Sequence, residues 1–159
     1  MRVESVAEVV VPGPPEAVFD YATNLEHLPR LFRGAGPVPS IEKAEVIGGG
    51  EQRVGARRRI HNGDGSVLEE EVLELDRPRS HRYSLYGDFQ GLVRFLVRKG
   101  GGHWTFEPVE GGHETRVRWA YHFELTSPLA LPLALPMMKV AFRAAQRRCL
   151  LNLAAAFGA

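Results

Sequence analysis

The stretch from Ile41 to Leu125 constrains the fold of this 159-residue chain more than any other part of its sequence. Short runs of β-branched and aromatic residues alternate there with turn-forming glycine, asparagine, aspartate and proline. Such spacing is typical of an antiparallel meander and not of β-α-β units. The predicted strands are Ile41–Ile47, Val54–His61, Ser66–Leu75, His81–Tyr86, Leu92–Arg98, His103–Pro108 and Thr115–Leu125. The predicted turns include Gly87-Asp88 and the glycine triplets at 48–50 and 100–102.

One further strand and two short helices precede the meander. The β-branched run from Val3 to Val11 ends at a Pro-Gly breaker and predicts the first strand. Prolines in the first turn and apolar residues on one side predict a short helix from Pro14 to Tyr21. A second short helix is predicted from Leu25 to Leu31, with Asn24 as its cap. The strand and both helices form the N-terminal part of one α+β domain spanning residues 1–159.

A long helix is predicted from Met137 to Phe157, because apolar residues recur there with helical period. At about 1.5 Å per residue it would cross a whole small sheet. Its predicted polar stripe consists of Lys139, Arg143, Gln146 and Arg147. Its predicted apolar stripe consists of Met138, Phe142, Ala145, Cys149 and Leu153.

This order of elements resembles the helix-grip fold of the polyketide cyclase/dehydrase and StAR-related lipid transfer superfamily, which includes birch-pollen-allergen-like proteins. The resemblance is carried by VPGPPEAVFDYATNLEHLP at 11–29, the hairpin at 55–78, and the run from GHWTFEP to TRVRWAY at 102–121. It implies a curved antiparallel sheet of about seven strands wrapped around a long C-terminal helix, with two short helices after the first strand. It also implies a hydrophobic small-molecule cavity between sheet and helix.

An Arg–Glu pair is predicted on the apolar face of the hairpin around Gly63-Asp64-Gly65. If those residues form a three-residue loop with Gly65 in the left-handed conformation, Arg58 lies opposite Glu70. A two-residue loop would place Glu69 there instead. An inward pair would be partly desolvated and a functional candidate. The alternative is that these residues form exposed cross-strand ion pairs, worth less than about 1 kcal/mol.

The predicted cavity lining combines this pair with aromatic residues of the meander and with residues of the long helix. For the aromatic residues, core packing is the alternative. Tyr121 is the most plausible ligand contact among them, because a buried phenol needs a hydrogen-bond partner. The predicted ligand-binding residues are Arg58, Glu70, Trp104, Phe106, Trp119, Tyr121, Phe123, Met138, Phe142 and Asn152. Arg58, Glu70 and Tyr121 are also the candidates for catalysis.

Other kinds of site lack their motifs. The six histidines are scattered without an i,i+4 pair or an HExxH motif, so we expect no metal site and no cofactor. Neither glycine triplet leads into a helix with Lys-Ser or Lys-Thr, which a phosphate-binding loop requires. The lone Cys149 lies on a predicted apolar helix face and is expected to be inert packing.

Charge and cysteine content bound the partners and the compartment. A formal net charge of +1 gives no general attraction to nucleic acid, so none is expected as a partner. A single cysteine fits a reducing compartment, and Glu4 and Glu8 interrupt any apolar signal segment, so a cytoplasmic location is expected. The basic ridge of Lys139, Arg143 and Arg147 is either a solvated face or a transient contact for anionic membrane headgroups.

The segment SPLALPLALPMM at 127–138 places a proline at every fourth residue of an apolar run. The uncharged stretch from Leu125 to Met138 is shorter than the ~20 residues of a spanning helix, so a membrane span is not expected. We predict a loop between the last strand and the long helix. On such a loop Leu129, Leu131, Leu133 and Leu135 would close the cavity mouth or pack in a homodimer interface.

The resemblance leaves three functions open. The first, which we favour, is binding or carriage of a hydrophobic small molecule such as a lipid, an isoprenoid quinone or a polyketide. The second is a polyketide aromatase/cyclase or dehydratase, in which Arg58 polarises a ketone and Glu70 or Tyr121 shuttles a proton. The third is a quinone-binding or ribosome-associated toxin-like protein, although the net charge of +1 weighs against ribosome binding.

Overall fold

The computed structural model describes residues 1–86 and 93–159 and contains a seven-stranded antiparallel sheet. The strands are β1 Arg2–Val11, β2 Ile41–Val46, β3 Arg57–Asn62, β4 Val67–Asp76, β5 Ser80–Tyr86, β6 Val97–Pro108 and β7 Thr115–Leu125. Their spatial order is β1-β7-β6-β5-β4-β3-β2, so consecutive strands pair as a meander from β2 to β7 and β1 joins the far edge. The predicted antiparallel meander is confirmed.

Short helices follow the first strand, as the sequence predicts. They are α1 Pro15–Thr23, a 3₁₀ turn Leu25–His27 and α2 Leu28–Leu31. The side chain of Asn24 accepts a hydrogen bond from the Glu26 amide at 3.0 Å, so its predicted capping role is confirmed. A further helical turn, α3 Val93–Leu96, precedes β6, and the C-terminal helix runs from Pro128 to Ala156.

The sheet is curved, and its register shifts show where the bends occur. Residue pairing slips between Ile41 and Lys43 in β2, between Val72 and Glu74 in β4, and between Val97 and Lys99 in β6. An extra residue in one strand bends that strand and increases its twist. The curved sheet packs on the C-terminal helix, chiefly through β1, which gives the helix-grip arrangement that the resemblance implied.

The glycine triplet at 100–102 is part of a strand and not a turn. β6 runs unbroken through it, and Val93–Leu96 is helical where a strand was predicted. The rest of that prediction, Leu92 and the Gly87-Asp88 turn, lies outside the described residues. A Cβ atom on Gly102 would lie 2.4 Å from the Tyr83 ring, and one on Gly100 would lie 2.7 Å from Phe123. The glycines are needed because aromatic side chains of the neighbouring strands lie across them.

The C-terminal helix begins at Pro128, so the predicted loop at 127–136 is wrong. It comprises a 3₁₀ turn Pro128–Ala130, α4 Leu131–Pro136, a π-helical segment Met137–Phe142 and α5 Arg143–Ala156. Proline is tolerated in the first turns of a helix, where its missing N–H has no partner to lose. Pro136 lies inside the helix, directly before the π-helical segment. Ser127 caps the start by accepting a hydrogen bond from the Leu129 amide at 3.2 Å.

One residue of the predicted polar stripe of the C-terminal helix is buried instead of exposed. Gln146 lies three residues before Cys149 and four before Leu150, so it shares their face of α5 and is fully buried with them. Its side chain accepts a hydrogen bond from Ser5 Oγ at 2.6 Å and donates to the Ser5 and Trp119 carbonyl oxygens.

The C-terminal helix, 29 residues from Pro128 to Ala156, is long and apolar enough to cross a membrane by length and composition only, a test that core helices also pass. The sequence prediction counted only the uncharged run and ended the helix at the prolines, so it made the helix too short. That the chain does not span a membrane stays a prediction. In this structure one side of the helix packs on the sheet through Ala134, Met138, Ala145, Cys149 and Leu153.

Candidate functional site

The hairpin of β3 and β4 places Arg58 opposite Glu70 on the inner face of the sheet. Gly65 has φ +86°, the left-handed conformation that the three-residue loop requires. Of the two registers that the sequence left open, the structure has the one with Glu70 opposite Arg58, and the one with Glu69 is excluded. Both side chains are buried, and Arg58 Nη2 donates to Glu70 Oε1 at 2.8 Å.

The neighbouring arginines form the exposed pairs that were the alternative for Arg58. Arg59 Nη2 lies 3.4 Å from a Glu69 carboxylate oxygen, and Arg57 Nε lies 3.8 Å from one of Glu71. Both pairs lie on the outer face, because successive side chains of a strand alternate between its two sides. The hairpin thus carries two solvent-facing ion pairs around one buried pair.

Arg58 is the centre of a buried hydrogen-bond network. Its Nη1 donates to Gln52 Oε1 at 2.9 Å and to His81 Nε2 at 3.0 Å. The Gln52 amide in turn donates to the carbonyl oxygen of Thr23, at the end of α1. The guanidinium carbon lies 4.8 Å from the centroid of the Tyr83 ring, within cation–π range. The network therefore joins α1 to strands β3, β4 and β5.

Burial determines the protonation states around Arg58. It lowers the pKa of His81 to about 3, and the Arg58 charge contributes in the same direction. An arginine only donates hydrogen bonds, so His81 Nε2 is the acceptor and the proton of the neutral ring is on Nδ1. Burial also raises the pKa of Glu70, against the opposing effect of Arg58, and raises the pKa of Tyr83. Tyr83 is thus a neutral phenol.

A cavity of about 60 Å³ lies beside this network. Its polar wall consists of Thr23, Arg58, Glu70, His81 and Tyr83. Its apolar wall comes from the α1–α2 region and from the sheet, with Ala22, Leu25, Leu28, Phe32, Ile41 and Ile60. Trp104, Trp119 and Cys149 complete the lining. One apolar chamber therefore ends on a buried charged pair.

Four of the ten predicted ligand-binding residues line this cavity, namely Arg58, Glu70, Trp104 and Trp119. The other six lie outside its lining. Tyr121, Phe123 and Phe142 pack on one another, with ring centroids 4.8 Å apart for Tyr121 and Phe142. These rings pack together between sheet and helix, as the core-packing alternative predicts, and ligand contact by them stays a prediction.

The remaining three predicted residues also have structural contacts. Phe106 lies against Phe19 at 5.1 Å between ring centroids, and Met138 is fully buried in the core. Asn152 Nδ2 donates to the Leu31 carbonyl oxygen at 3.0 Å and thereby ties the C-terminal helix to α2. Of the four leucines predicted to close the cavity mouth, Leu131 packs on the core and Leu129, Leu133 and Leu135 are exposed.

Sequence reasoning missed several residues of the site. His81 and Tyr83 both point to the inner face of β5, with the exposed Arg82 between them, and this alternation was a usable signal. It was missed because His81 was considered only as a possible metal ligand. Gln52 lies in an irregular segment, where no periodicity indicates direction, and Thr23 is the last residue of α1, beyond the predicted end of that helix at Tyr21. Cys149, expected to be inert packing, lines the cavity, and burial raises the pKa of its thiol, which keeps it protonated.

Two buried donors of the lining residues lack a hydrogen-bond partner among the described residues. They are Arg58 Nε and Trp119 Nε1. An unpaired buried donor costs about 1–3 kcal/mol. A ligand with hydrogen-bond acceptors could therefore pair with these two donors. Within the described residues, no group of three or more His, Cys, Asp or Glu is arranged to hold a metal ion.

Comparisons with known proteins agree with this architecture. The family described as polyketide cyclase / dehydrase and lipid transport matches residues 2–158. A search of the curated proteins gives no match. Among solved structures, TTHA0849 from Thermus thermophilus is 25% identical, with a TM-score of 0.70 and coverage of 96% of this chain and 95% of that chain.

Two plant proteins share the fold at lower identity. Norcoclaurine synthase from Thalictrum flavum, in complex with dopamine and hydroxybenzaldehyde, is 16% identical with a TM-score of 0.70, covering 100% of this chain and 90% of that chain. Ginseng major latex-like protein 151 from Panax ginseng is 12% identical with a TM-score of 0.71, covering 99% and 98%. With the family match over almost the whole chain, the seven-stranded sheet and the gripping helix, the chain belongs to the polyketide cyclase / dehydrase and lipid transport family.

Proposed function

We propose that this protein binds a hydrophobic small molecule that presents an oxygen acceptor to Arg58 in the cavity between sheet and helix. The observation that carries the proposal is an apolar chamber that ends on the buried Arg58–Glu70 pair. A buried ion pair contributes little to stability compared with apolar residues of the same volume. Its placement on a cavity wall is therefore better explained by ligand recognition.

The chemistry of the polar wall favours an acceptor on the ligand. Arg58 Nε and Trp119 Nε1 are donors without a described partner, and the Tyr83 phenol keeps its proton. A carbonyl, carboxylate or quinone oxygen would accept hydrogen bonds that the protein leaves unmade. An amine or ammonium group would instead face the Arg58 charge. The proposed ligand class is thus oxygenated and not cationic.

The size of the cavity bears on the choice among lipid, isoprenoid quinone and polyketide. Typical ligand pockets measure about 300–1,000 Å³, several times the 60 Å³ found here. A small oxygenated ring or the polar head of a longer molecule fits this volume better than a whole lipid. A larger ligand requires more space than this cavity offers.

We also propose a cytoplasmic location, because the single cysteine of the chain, Cys149, is buried and free, as expected in a reducing compartment.

Native mass spectrometry of the purified protein tests this function. We expect a mass above that of the bare chain, and organic extraction should release a hydrophobic molecule with carbonyl, carboxylate or quinone oxygen. Arg58→Met should lose this molecule, whereas Arg59→Met, which removes a neighbouring exposed arginine, should keep it. Protein that carries nothing and binds no member of a library of such molecules would contradict the proposal.

An enzyme of the aromatase/cyclase or dehydratase type is the second candidate. It is favoured by the buried acid Glu70, whose pKa is raised, next to a cation that would stabilise an enolate. Tyr83 replaces Tyr121 as the candidate proton donor, because Tyr83 lines the cavity and Tyr121 does not. With a poly-β-keto substrate, Arg58→Met and Glu70→Gln should each abolish turnover. A pure binding protein would show no turnover to lose.

A further inference from the structure

The outward side of the C-terminal helix is apolar from Pro128 to Pro136 and carries both apolar and basic residues from Lys139 onward. Leu129 is 89% exposed, Leu133 68%, Val140 69% and Leu151 58%. These four residues, here called the outer stripe, face away from the sheet, because the opposite side of the helix packs on the core. Soluble proteins rarely leave a contiguous apolar patch without a partner.

Further apolar residues extend this surface at the start of the helix. Phe95 is 61% exposed, and its carbonyl oxygen accepts a hydrogen bond from Thr126 Oγ1 at 2.6 Å. Met1 is also exposed, and its carbonyl oxygen accepts from the Leu125 amide at 2.8 Å. These two bonds hold Phe95 next to Thr126 and Met1 next to Leu125, and Thr126 and Leu125 precede Leu129 by three and four residues. The apolar surface is broadest at the N-terminal end of the helix.

Positive charge is concentrated on the same helix. It carries Lys139, Arg143, Arg147 and Arg148 and no acidic residue, so the rest of the chain has 16 basic against 19 acidic residues, a net charge of −3. Lys139 Nζ donates to the Glu4 carbonyl oxygen, and Arg148 to that of Gly34. Arg143 and Arg147 are exposed and form no ion pair with any described residue. The helix is therefore basic although the chain is nearly neutral.

We propose that the outer stripe and its arginines dock the protein on an anionic lipid bilayer, with the C-terminal helix lying in the plane of the interface. Exposed leucines next to unpaired arginines are the composition of an interfacial helix: the apolar groups enter the acyl boundary and the cations contact the headgroups. A second copy of the chain fits less well, because an isologous contact would bring like charges together. The helix lies in the plane because its inner side forms part of the protein core.

Vesicle flotation tests this docking, and it requires no ligand in the cavity. The wild-type protein should float with vesicles of equimolar phosphatidylglycerol and phosphatidylcholine, float less with phosphatidylcholine alone, and be released by high salt. Leu129→Glu with Leu133→Glu should weaken binding more than about tenfold. The matched control, Val54→Glu with Leu73→Glu, changes two exposed apolar residues elsewhere and should bind like wild type.

The arginines are tested separately from the leucines. Arg143→Gln and Arg147→Gln should each weaken binding to the anionic vesicles by about fivefold and leave binding to phosphatidylcholine unchanged. Circular dichroism checks that all variants fold, which their exposed positions favour. The proposal is wrong if wild type does not float, or if the leucine variant floats as wild type does. It is also wrong if light scattering shows a dimer that the leucine variant dissociates, while no vesicles are bound.

Discussion

Arg58 is a fully charged side chain that the fold removes from water and surrounds with three polar partners. Its guanidinium reaches Glu70, Gln52 and His81 within 3.0 Å. Desolvating two ions is unfavourable, and their attraction compensates only if the remaining donors and acceptors are also satisfied. Arg58 Nε is not satisfied by any described residue, so the network is incomplete without a further acceptor.

Removing one member of the buried pair should be much more destabilising than removing an exposed arginine. Arg58→Met leaves the Glu70 carboxylate buried without its cation and should lower the free energy of unfolding by about 3–5 kcal/mol. Arg58→Met with Glu70→Leu should recover most of this loss, because no uncompensated charge remains. Urea denaturation measures both effects.

The matched control for this prediction is Arg59→Met on the same strand. It removes only a partly exposed pair with Glu69 and should cost less than about 1 kcal/mol. Equal losses for the two arginine variants would show that Arg58 is not held as a buried ion.

His81 should make the protein sensitive to acid. Its pKa is about 3 in the folded protein and about 6.5 in the unfolded chain, so between these values the unfolded chain binds more protons. Stability should therefore fall as pH decreases from about 6.5 towards 3, by at most about 1.4 kcal/mol per pH unit for this group.

Comparison of His81→Gln with wild type isolates this effect. Glu70, whose pKa is raised, acts in the opposite direction, but it is present in both proteins. The variant should lose less stability than wild type between pH 6.5 and 4 in urea titrations at several pH values. Parallel pH profiles for the two proteins would contradict the assignment of a buried neutral His81.

At the scale of elements, one strand and one helix contain residues whose ordinary propensities predict a break in the element. β6 passes through three glycines because Tyr83 and Phe123 occupy the space that side chains would need. The C-terminal helix passes through three prolines and then a π-helical segment, and it buries the polar side chain of Gln146 in the core. In each case a tertiary contact determines the local structure.

Gly102→Ala should disturb the cavity wall through Tyr83. The added Cβ would lie 2.4 Å from that ring, so Tyr83 must move or the strands must separate. We expect a loss of about 1–3 kcal/mol in the free energy of unfolding, the usual effect of overpacking. Lys99→Ala, an exposed change on the same strand, is the control and should be nearly neutral. A stable Gly102→Ala protein with an unchanged Tyr83 environment would contradict the close contact.

Gln146→Leu should destabilise the protein although it makes a core position apolar. The Ser5 hydroxyl and the Ser5 and Trp119 carbonyl oxygens would lose their buried partner, at about 1–3 kcal/mol. Adding Ser5→Ala should return part of this loss, which a double-mutant cycle measures. Strict additivity of the two changes would mean that the side chains do not interact.

At the scale of the whole molecule, the sequence was sufficient to predict the fold and the buried Arg–Glu pair on the cavity wall. Strand alternation and turn chemistry predicted the meander and left two partners for Arg58, Glu70 with a left-handed Gly65 or Glu69, of which the structure has the first. Local patterns did not predict which inward aromatic residues pack on one another in the core and which line the cavity. Tyr121 and Phe123 share a face with Trp119, yet only Trp119 reaches the cavity.

The remaining errors arose where residue type was used without the tertiary contacts. Gln146 was assigned to the surface because its side chain is polar, although it lies on the same face of α5 as Cys149 and Leu150. Proline was treated as a stop, although it is tolerated where helical N–H groups are unpaired or the helix widens. Leu129 and Leu133 were consequently placed on a loop that closes the cavity mouth or packs in a homodimer interface, whereas they lie on a helix face directed away from the core.

Tryptophan fluorescence tests the binding function most directly, because the only two tryptophans of the chain, Trp104 and Trp119, both line the cavity. The protein is titrated with a medium-chain methyl ketone and with the alkane of the same length. A cavity that recognises an oxygen acceptor through Arg58 should give a saturable change with the ketone and a weaker response to the alkane. Arg58→Met should weaken ketone binding about ten- to a hundredfold, the effect of one hydrogen bond to a charged group, and Arg59→Met should not. No saturable change with either compound, or equal ketone affinity in Arg58→Met and wild type, would contradict this function.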